Sequence, residues 1–321
     1  MERIAVTGSS GHCGRAIVAA IRRKWPASQI LGLDIVPSKD SPPDVFAACD
    51  ITGPEVEQHL RKFQPTAIMH LAFVVNPMRN KNRMRQINVE GTRRILNCAS
   101  SLRVSRVLIG SSATAYGAWS DNPVPLSETV PLRARREFQY AEEKVEMERL
   151  AADFQQRHPE IAVTTTRPCM IYGPGLSNYL TQFILGGPLI VLPGGNDTPL
   201  QFVHLDDVAE ATCTILNSGQ RGAFNIAPSD WFTLTELAAL SGRVSVSAPM
   251  ALCLAFTTCW WKLRLPVFQF PAGLWYFIRY PWVVSPGRLT SELSFQFRYS
   301  SGDVIRQLLH DAGRLKAPLT R

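Results

Sequence analysis

Five short β-rich apolar runs, at 4–7, 30–34, 67–71, 106–111 and 163–167, alternate with longer helical patterns through the first half of the chain. Such alternation predicts parallel strands joined by right-handed crossovers, with helices covering both faces of one sheet. The expected class is therefore α/β with a doubly wound parallel sheet. After residue 167 the pattern changes to Pro/Gly-rich turns, Tyr172-Gly173-Pro174-Gly175, Gly186-Gly187-Pro188 and Pro193-Gly194-Gly195. An apolar run at 201–205 and a helix at about 207–216 follow. These turns read as crossings between lobes. The sequence thus predicts a main domain over 1–172, with 201–227 returning to it, and a smaller, mainly helical lobe over 173–200 and 228–321.

The first strand runs into Thr7-Gly8-Ser9-Ser10-Gly11-His12-Cys13-Gly14, which opens an apolar-periodic helix through Ile17, Val18, Ala20 and Ile21. Gly8 permits a tight turn, Gly11 lets backbone N–H groups approach a pyrophosphate, and Gly14 allows close packing of helix on strand. The helix N-terminus adds unpaired donors and a positive dipole. Asp34 lies twenty residues beyond Gly14, at the end of the second strand. A carboxylate there accepts hydrogen bonds from a ribose hydroxyl and repels a phosphate in its place. No Arg in Ile35-Val36-Pro37-Ser38 offsets that repulsion, so the expected cofactor is NAD rather than NADP on a Rossmann domain. Cys13 reads as an ordinary loop residue.

Tyr140-Ala141-Glu142-Glu143-Lys144 lies in a helical stretch, and a spacing of four sets Tyr140 and Lys144 a turn apart on one face. A phenol titrates near 10 and becomes a useful base at neutral pH only when a fixed cation favours the phenolate, which Lys144 can supply. Tyrosine then serves as acid/base for a substrate alcohol or carbonyl. Ser111-Ser112-Ala113-Thr114-Ala115-Tyr116-Gly117 follows the fourth strand, at the carboxyl edge where doubly wound sheets hold ligands.

With its T-G-x-x-G-x-x-G turn, hydroxyl residues after strand four and Y-x-x-x-K helix, the chain resembles the extended short-chain dehydrogenase/reductase family, also called the NAD-dependent epimerase/dehydratase family. The likeness runs over nearly the whole chain. It takes in Asp50-Ile51, His70-Leu71-Ala72, Asn88-Val89-Glu90-Gly91-Thr92, Arg167-Pro168 with Tyr172-Gly173-Pro174, and Phe202-Val203-His204-Leu205-Asp206-Asp207-Val208. The resemblance implies Tyr140 as acid/base, Lys144 as the cation that lowers its pKa and binds the nicotinamide ribose, and Ser112 as the substrate-oxygen partner. Thr114 is a second candidate for that hydroxyl role. The NAD contacts it implies are Gly8, Ser10, Gly11, His12, Gly14, Asp34, Asp50, Ile51, Leu71, Ala72, Asn88, Tyr140, Lys144 and Pro168, and it implies a homodimer. His204, Asp206 and Asp207 suggest a triad fragment, but Asp206 or Asp207 is well placed to cap the following helix.

Departures from subfamily patterns narrow the reaction. Sugar-nucleotide dehydratases of the family carry an Asp-Glu pair after the strand-four hydroxyl, where this chain has Ala113 and Thr114. Sugar-nucleotide epimerases carry an Asn before the Y-G-P segment and an Arg before the F-V-H segment, both directed at phosphates. Met170 and Leu200 stand there instead. Arg221, Arg243, Arg264, Arg279 or Arg288 could replace the lost charge. The expected activity is an NAD-dependent oxidoreduction of a secondary alcohol or ketone. A nucleotide-sugar epimerase and a non-catalytic NAD-binding sensor are the alternatives.

Composition agrees with an enzyme of ordinary globular type: 45% of residues are apolar and 19% charged. The formal charge of +8 is spread along the chain apart from Arg79, Lys81, Arg83 and Arg85, which read as a solvated helix face. No groove-reading or base-stacking motif accompanies it, so a small molecule rather than nucleic acid is the expected partner. Seven scattered cysteines without a C-x-x-C pair, and no histidine at zinc-ligand spacing, point to free thiols and no metal. The first residues pass straight into a strand pattern without signal-peptide features, so a cytoplasmic protein is expected. The stretch 244–261 carries no charge, but Ser245, Ser247, Pro249, Thr257 and Thr258 interrupt it. It falls short of the roughly 20 apolar residues a bilayer span needs. A buried or lid helix is expected. Peripheral membrane contact through 250–284 is the alternative, because Trp260, Trp261, Trp275, Tyr276, Tyr280 and Trp282 sit among Lys262, Arg264 and Arg279.

Overall fold

The computed structural model describes residues 3–76, 78–176, 185–263 and 270–315. The strands are β1 (Arg3–Thr7), β2 (Gln29–Asp34), β3 (Val45–Ala48), β4 (Ala67–His70), β5 (Arg106–Gly110), β6 (Ala162–Pro168), β7 (Met170–Tyr172), β8 (Leu189–Pro193), β9 (Pro199–Leu200), β10 (Phe202–His204), β11 (Gly222–Ile226), β12 (Phe232–Thr233) and β13 (Val244–Ala248). The helices are α1 (His12–Lys24), α2 (Glu55–Phe63), α3 (Lys81–Arg85), α4 (Gly91–Ser101), α5 (Gln139–Arg157), α6 (Leu205–Ser218), α7 (Leu234–Ser241), α8 (Met250–Lys262), α9 (Leu274–Arg279), α10 (Gly287–Leu293) and α11 (Ser301–Asp311).

Seven strands form one sheet in the order β11-β6-β5-β4-β1-β2-β3, every pair parallel. This is the doubly wound architecture expected from the alternation. Chain progress reverses between β1 and β4, which opens a crevice at their carboxyl ends. Alternate residues of each strand feed opposite faces. Ile4, Val6, Ile30, Met69 and Leu108 pack under α1 and α6, whereas Ala5, Leu31, Leu33, Ile68, Val107 and Ile109 pack under α2, α4 and α5. Each large apolar side chain so buried contributes about 1.5–3 kcal/mol before entropy is counted.

Two features depart from the expected elements. β3 is an edge strand with only Ala47 buried, so its four residues carry little hydrophobic signal. The apolar run at 201–205 does not enter the main sheet. Its β10 pairs in parallel with β7 as a separate two-stranded unit, and the strand that joins the main sheet is β11, beside β6, while α6 packs against that sheet next to α1.

The segments expected to form the smaller lobe contain more strand than expected. β13 pairs in parallel with β8, and β12 antiparallel with β9. The uncharged stretch divides between β13 and the thirteen-residue α8. Among the described residues no helix is long and apolar enough to cross a membrane. The aromatic segment splits in burial. Trp275, Phe277 and Trp282 are buried in the core, so two of the tryptophans read as interface anchors are packing residues. Phe256 of α8 is exposed.

Candidate active site

The turn after β1 is shaped by contacts that only glycine allows. Gly8 adopts φ +70°, and a Cβ on it would lie 2.6 Å from the Leu71 backbone. A Cβ on Gly14 would lie 2.0 Å from the Gly8 carbonyl oxygen. At Gly11 the nearest such atom is 3.4 Å away, leaving the backbone open to a ligand. Asp34 closes the turn from the next strand: its Oδ2 accepts the Ser10 N–H at 2.9 Å and its Oδ1 the Ile35 N–H at 2.7 Å. The cradle, the adjacent helix N-terminus and this carboxylate fit a dinucleotide.

Beneath the turn, the Thr7 hydroxyl accepts the Leu71 and Ala72 N–H groups at 3.1 and 3.3 Å and lies 2.7 Å from His70 Nδ1. Burial holds His70 near 3, with the Lys144 charge adding to the effect, so the ring is neutral. With Thr7 donating to Nδ1, Nε2 carries the proton and donates to Thr92 at 3.1 Å. His70 is therefore a buried brace between strand and helix.

α5 carries Tyr140 and Lys144 to the carboxyl edge of β5. The Ser112 hydroxyl stands close enough to the Tyr140 phenol to oppose the effect of burial on its pKa. It also accepts the Thr114 hydroxyl at 3.0 Å and the Thr114 N–H at 3.2 Å, so Ser112 caps the short turn that holds Thr114. Lys144 is 1% exposed. Its Nζ donates to the Gly110 carbonyl at 2.7 Å, sits 3.4 Å from the Phe73 ring centroid and 5.4 Å from that of Tyr140. Burial pushes Lys144 down to about 7 against the pull of Glu148 and Glu143. Burial likewise holds the Tyr140 phenol above its usual value, with the neighbouring Ser112 hydroxyl opposing. Desolvation, rather than the Lys144 charge, thus dominates the phenol in this geometry.

These groups line one cavity of about 460 Å3. Of the residues singled out from sequence, Gly8, Gly11, His12, Gly14, Leu71, Ser112, Thr114, Tyr140, Lys144 and Pro168 border it. The others do not border it. Asn88 Oδ1 accepts the Val74 N–H at 2.8 Å, and its Nδ2 donates to Glu143 at 2.7 Å, so it clamps a wall segment. The Asp50 carboxylate is tied to Thr52 and Arg83, and Ile51 lies over Gly91. His12 Nε2 lies 2.8 Å from the Gly175 carbonyl oxygen, joining the turn to the segment after β7. Two members of the basic cluster on α3 are ion-paired: Arg83 with Asp50, and Arg85 with Glu90 and Glu146. The cap of α6 is His204, whose Nδ1 accepts the Asp206 N–H at 3.1 Å. Asp207 instead accepts the Arg298 and Tyr299 N–H groups at 3.1 Å, so neither aspartate caps the helix.

Sequence reasoning missed the pocket walls Phe73, Val74, Ile171, Leu176 and Trp282, which carry no spacing signal. It also missed a buried ion pair between Glu148 and Arg167, with Arg167 Nη2 2.6 Å from Glu148 Oε2. The carboxylate further accepts the Ser111 hydroxyl at 2.5 Å, and Arg167 donates to the Tyr116 hydroxyl at 2.7 Å. The pair thereby holds both ends of the segment bearing Ser112. Glu148 lies four residues beyond Lys144 on the same helix face, the one hint available in advance. No cluster of metal-ligating side chains occurs among the described residues.

Fold and site define a dinucleotide-binding α/β enzyme with a tyrosine, a lysine and a serine at the crevice. A family model described as the NAD dependent epimerase/dehydratase family matches residues 4–227, and the chain belongs to that family, whose cofactor is NAD. An uncharacterised protein of Mycobacterium tuberculosis is 26% identical over 254 residues, covering 77% of this chain and 67% of that one. The fold is similar to Thermus thermophilus UDP-glucose 4-epimerase solved with NAD, at TM-score 0.73 and 20% identity over 97% of this chain and 99% of that one. It is also similar to Bacillus anthracis dTDP-glucose 4,6-dehydratase solved with NAD, at TM-score 0.72 and 17% identity over 97% and 96% of the two chains.

Proposed function

We propose that the chain is an NAD-dependent oxidoreductase acting on an uncharged, lipophilic secondary alcohol or ketone. The observation that carries this reading is the pocket wall. Phe73, Val74, Ile171, Leu176 and Trp282 line it, and no arginine borders it among the described residues. A nucleotide diphosphate relies on charge-assisted hydrogen bonds worth roughly 1.5–3 kcal/mol each. The arginines considered as substitutes are engaged elsewhere: Arg221 donates to Pro159, Arg279 to Pro193, Arg288 to Ala223 and Arg243 to Ser241. Arg264 lies outside the described residues.

NAD, when bound, supplies the hydride acceptor. The residues do the rest. Ser112 fixes the substrate oxygen beside Tyr140, and Thr114, donating to Ser112, leaves the Ser112 proton free for that oxygen or the phenol. Tyr140, protonated at neutral pH, gives its proton to a ketone oxygen in reduction; in oxidation it first releases that proton to solvent, and the phenolate then takes the proton of the alcohol. Lys144, in its protonated form, stabilises the phenolate during that exchange. We take 173–200 and 228–321 as the substrate-binding lobe.

The test is a panel of lipophilic secondary alcohols and UDP-hexoses incubated with NAD while cofactor absorbance is followed. NADH should form in stoichiometry with an alcohol, and Tyr140→Phe should lower kcat by about 10²–10⁴ while NAD still binds. Interconversion of UDP-hexoses without net absorbance change would replace this reading with an epimerase.

A further inference from the structure

The second lobe holds a separate cavity of about 410 Å3, lined almost wholly by apolar side chains including Leu189, Leu237, Leu252, Phe256, Trp275 and Ile278. None of its lining residues borders the Tyr140 pocket. Its size falls within the range of ligand sites, and its lining offers nothing for a polar ligand to hold. Two lining residues, Leu252 and Phe256, are 62% and 53% exposed, so the cavity opens at the outer face of α8. Together with Cys259 and Leu263, which is 69% exposed, they follow a 4-3-4 spacing and form one apolar stripe on that face. An exposed stripe of this kind marks an interaction surface.

Charge indicates what lies against it. No Asp or Glu occurs between Glu236 and Glu292, whereas Arg243, Lys262, Arg264, Arg279 and Arg288 do. Glu236 and Asp197 are spent on the cap of α7, through Thr233 and Thr235. Lys262 closes α8. Arg314 donates to the carbonyl of Gly187, a cavity-lining residue, at 3.1 Å. Arg314 also stands near enough to Arg243 to add to the burial that depresses its pKa. Cations flank an apolar opening, which is the arrangement of an anionic amphiphile's complement.

We infer that the outer face of α8 docks on an anionic lipid bilayer, and that the cavity beneath it admits the acyl chain of one lipid with Arg314 at the headgroup. The helix lies in the interface instead of crossing it, as its length requires. This stands apart from the proposed reaction, because vesicle binding needs neither Tyr140 nor turnover.

The experiment is flotation of the full chain with phosphatidylcholine vesicles and with vesicles containing phosphatidylglycerol. Binding should require the anionic lipid and fall as salt is raised. The exposed pair Leu252→Glu with Phe256→Glu should reduce vesicle partitioning about tenfold or more, and Arg314→Glu severalfold, with NAD binding unchanged as the check on folding. Brominated acyl chains should quench tryptophan emission, and Trp275→Phe should remove part of that quenching while NAD still binds. Absence of flotation overturns the inference, as does flotation indifferent to the α8 pair. Binding of a monomeric anionic detergent without vesicle binding also overturns it, as does a change of oligomeric state in the α8 variant in place of any lipid effect.

Discussion

Glu148→Gln gives the sharpest test of how the site is held. The wild-type carboxylate accepts Arg167 Nε at 2.9 Å and Arg167 Nη2 at 2.6 Å, the Ser111 hydroxyl at 2.5 Å and the Thr165 hydroxyl at 3.2 Å. Burial opposes the Arg167 charge, but the bonds and charge of Glu148 outweigh it and hold the guanidinium above its usual pKa. Substitution by the isosteric amide keeps the shape and removes the negative charge, leaving a buried guanidinium with no counter-ion. The cost of stranding such a charge is about 3–5 kcal/mol, measurable as a fall in unfolding free energy in urea. The double variant Glu148→Leu with Arg167→Met removes the stranded charge, so it should lose less than Glu148→Gln alone. Because Ser111 and Tyr116 bracket Ser112, kcat should also fall while NAD affinity holds. A Glu148→Gln protein within about 1 kcal/mol of wild type, or a double variant whose loss equals the sum of the singles, would refute the reasoning.

Two further outcomes follow from the site. Asp34→Ala should shift cofactor preference toward NADP by about tenfold, since one like-charge repulsion of about 1.4 kcal/mol disappears; fluorescence titration with both dinucleotides checks it, and an unchanged ratio contradicts it. Lys144, depressed by burial from its ordinary 10.5 to about 7, binds fewer protons in the folded protein than in the unfolded chain across that interval. Its contribution to stability therefore rises with pH between about 7 and 10.5. The stability difference between wild type and Lys144→Met should climb over the same window, and a flat difference would show that Lys144 keeps its ordinary pKa.

What could be read in advance was what depends on neighbours in the chain. The positive φ of Gly8 and the close approach of Gly14 to the Gly8 carbonyl arise within one turn, and the Tyr140–Lys144 pairing arises from helical spacing, so both are visible as patterns. Asp34 was placed by its distance from the turn. β3 escaped because three of its four residues are not buried, and a strand without a buried face leaves no period to detect. The Glu148–Arg167 pair joins a helix to a strand, a contact that spacing alone does not encode. The sequence favours an aspartate as the α6 cap because Asp is a common capping residue, whereas the His204 ring performs the task. The uncharged stretch around α8 suggested burial, but only part of that helix turns inward, and composition does not report which face meets the lobe.

Tyr140, Lys144 and Glu148 descend one rigid rod at intervals of four, so the groups proposed to move protons are aimed by a single helix anchored at its own ion pair. The surfaces that would meet a substrate's carbon skeleton come from elsewhere: Phe73 and Val74 after β4, Ile171 and Leu176 around β7, and Trp282 after α9. Selectivity and reactivity are thus mechanically separable in this chain. A lineage could reshape those walls one loop at a time, acquiring new substrates without disturbing the alignment on which the chemistry depends.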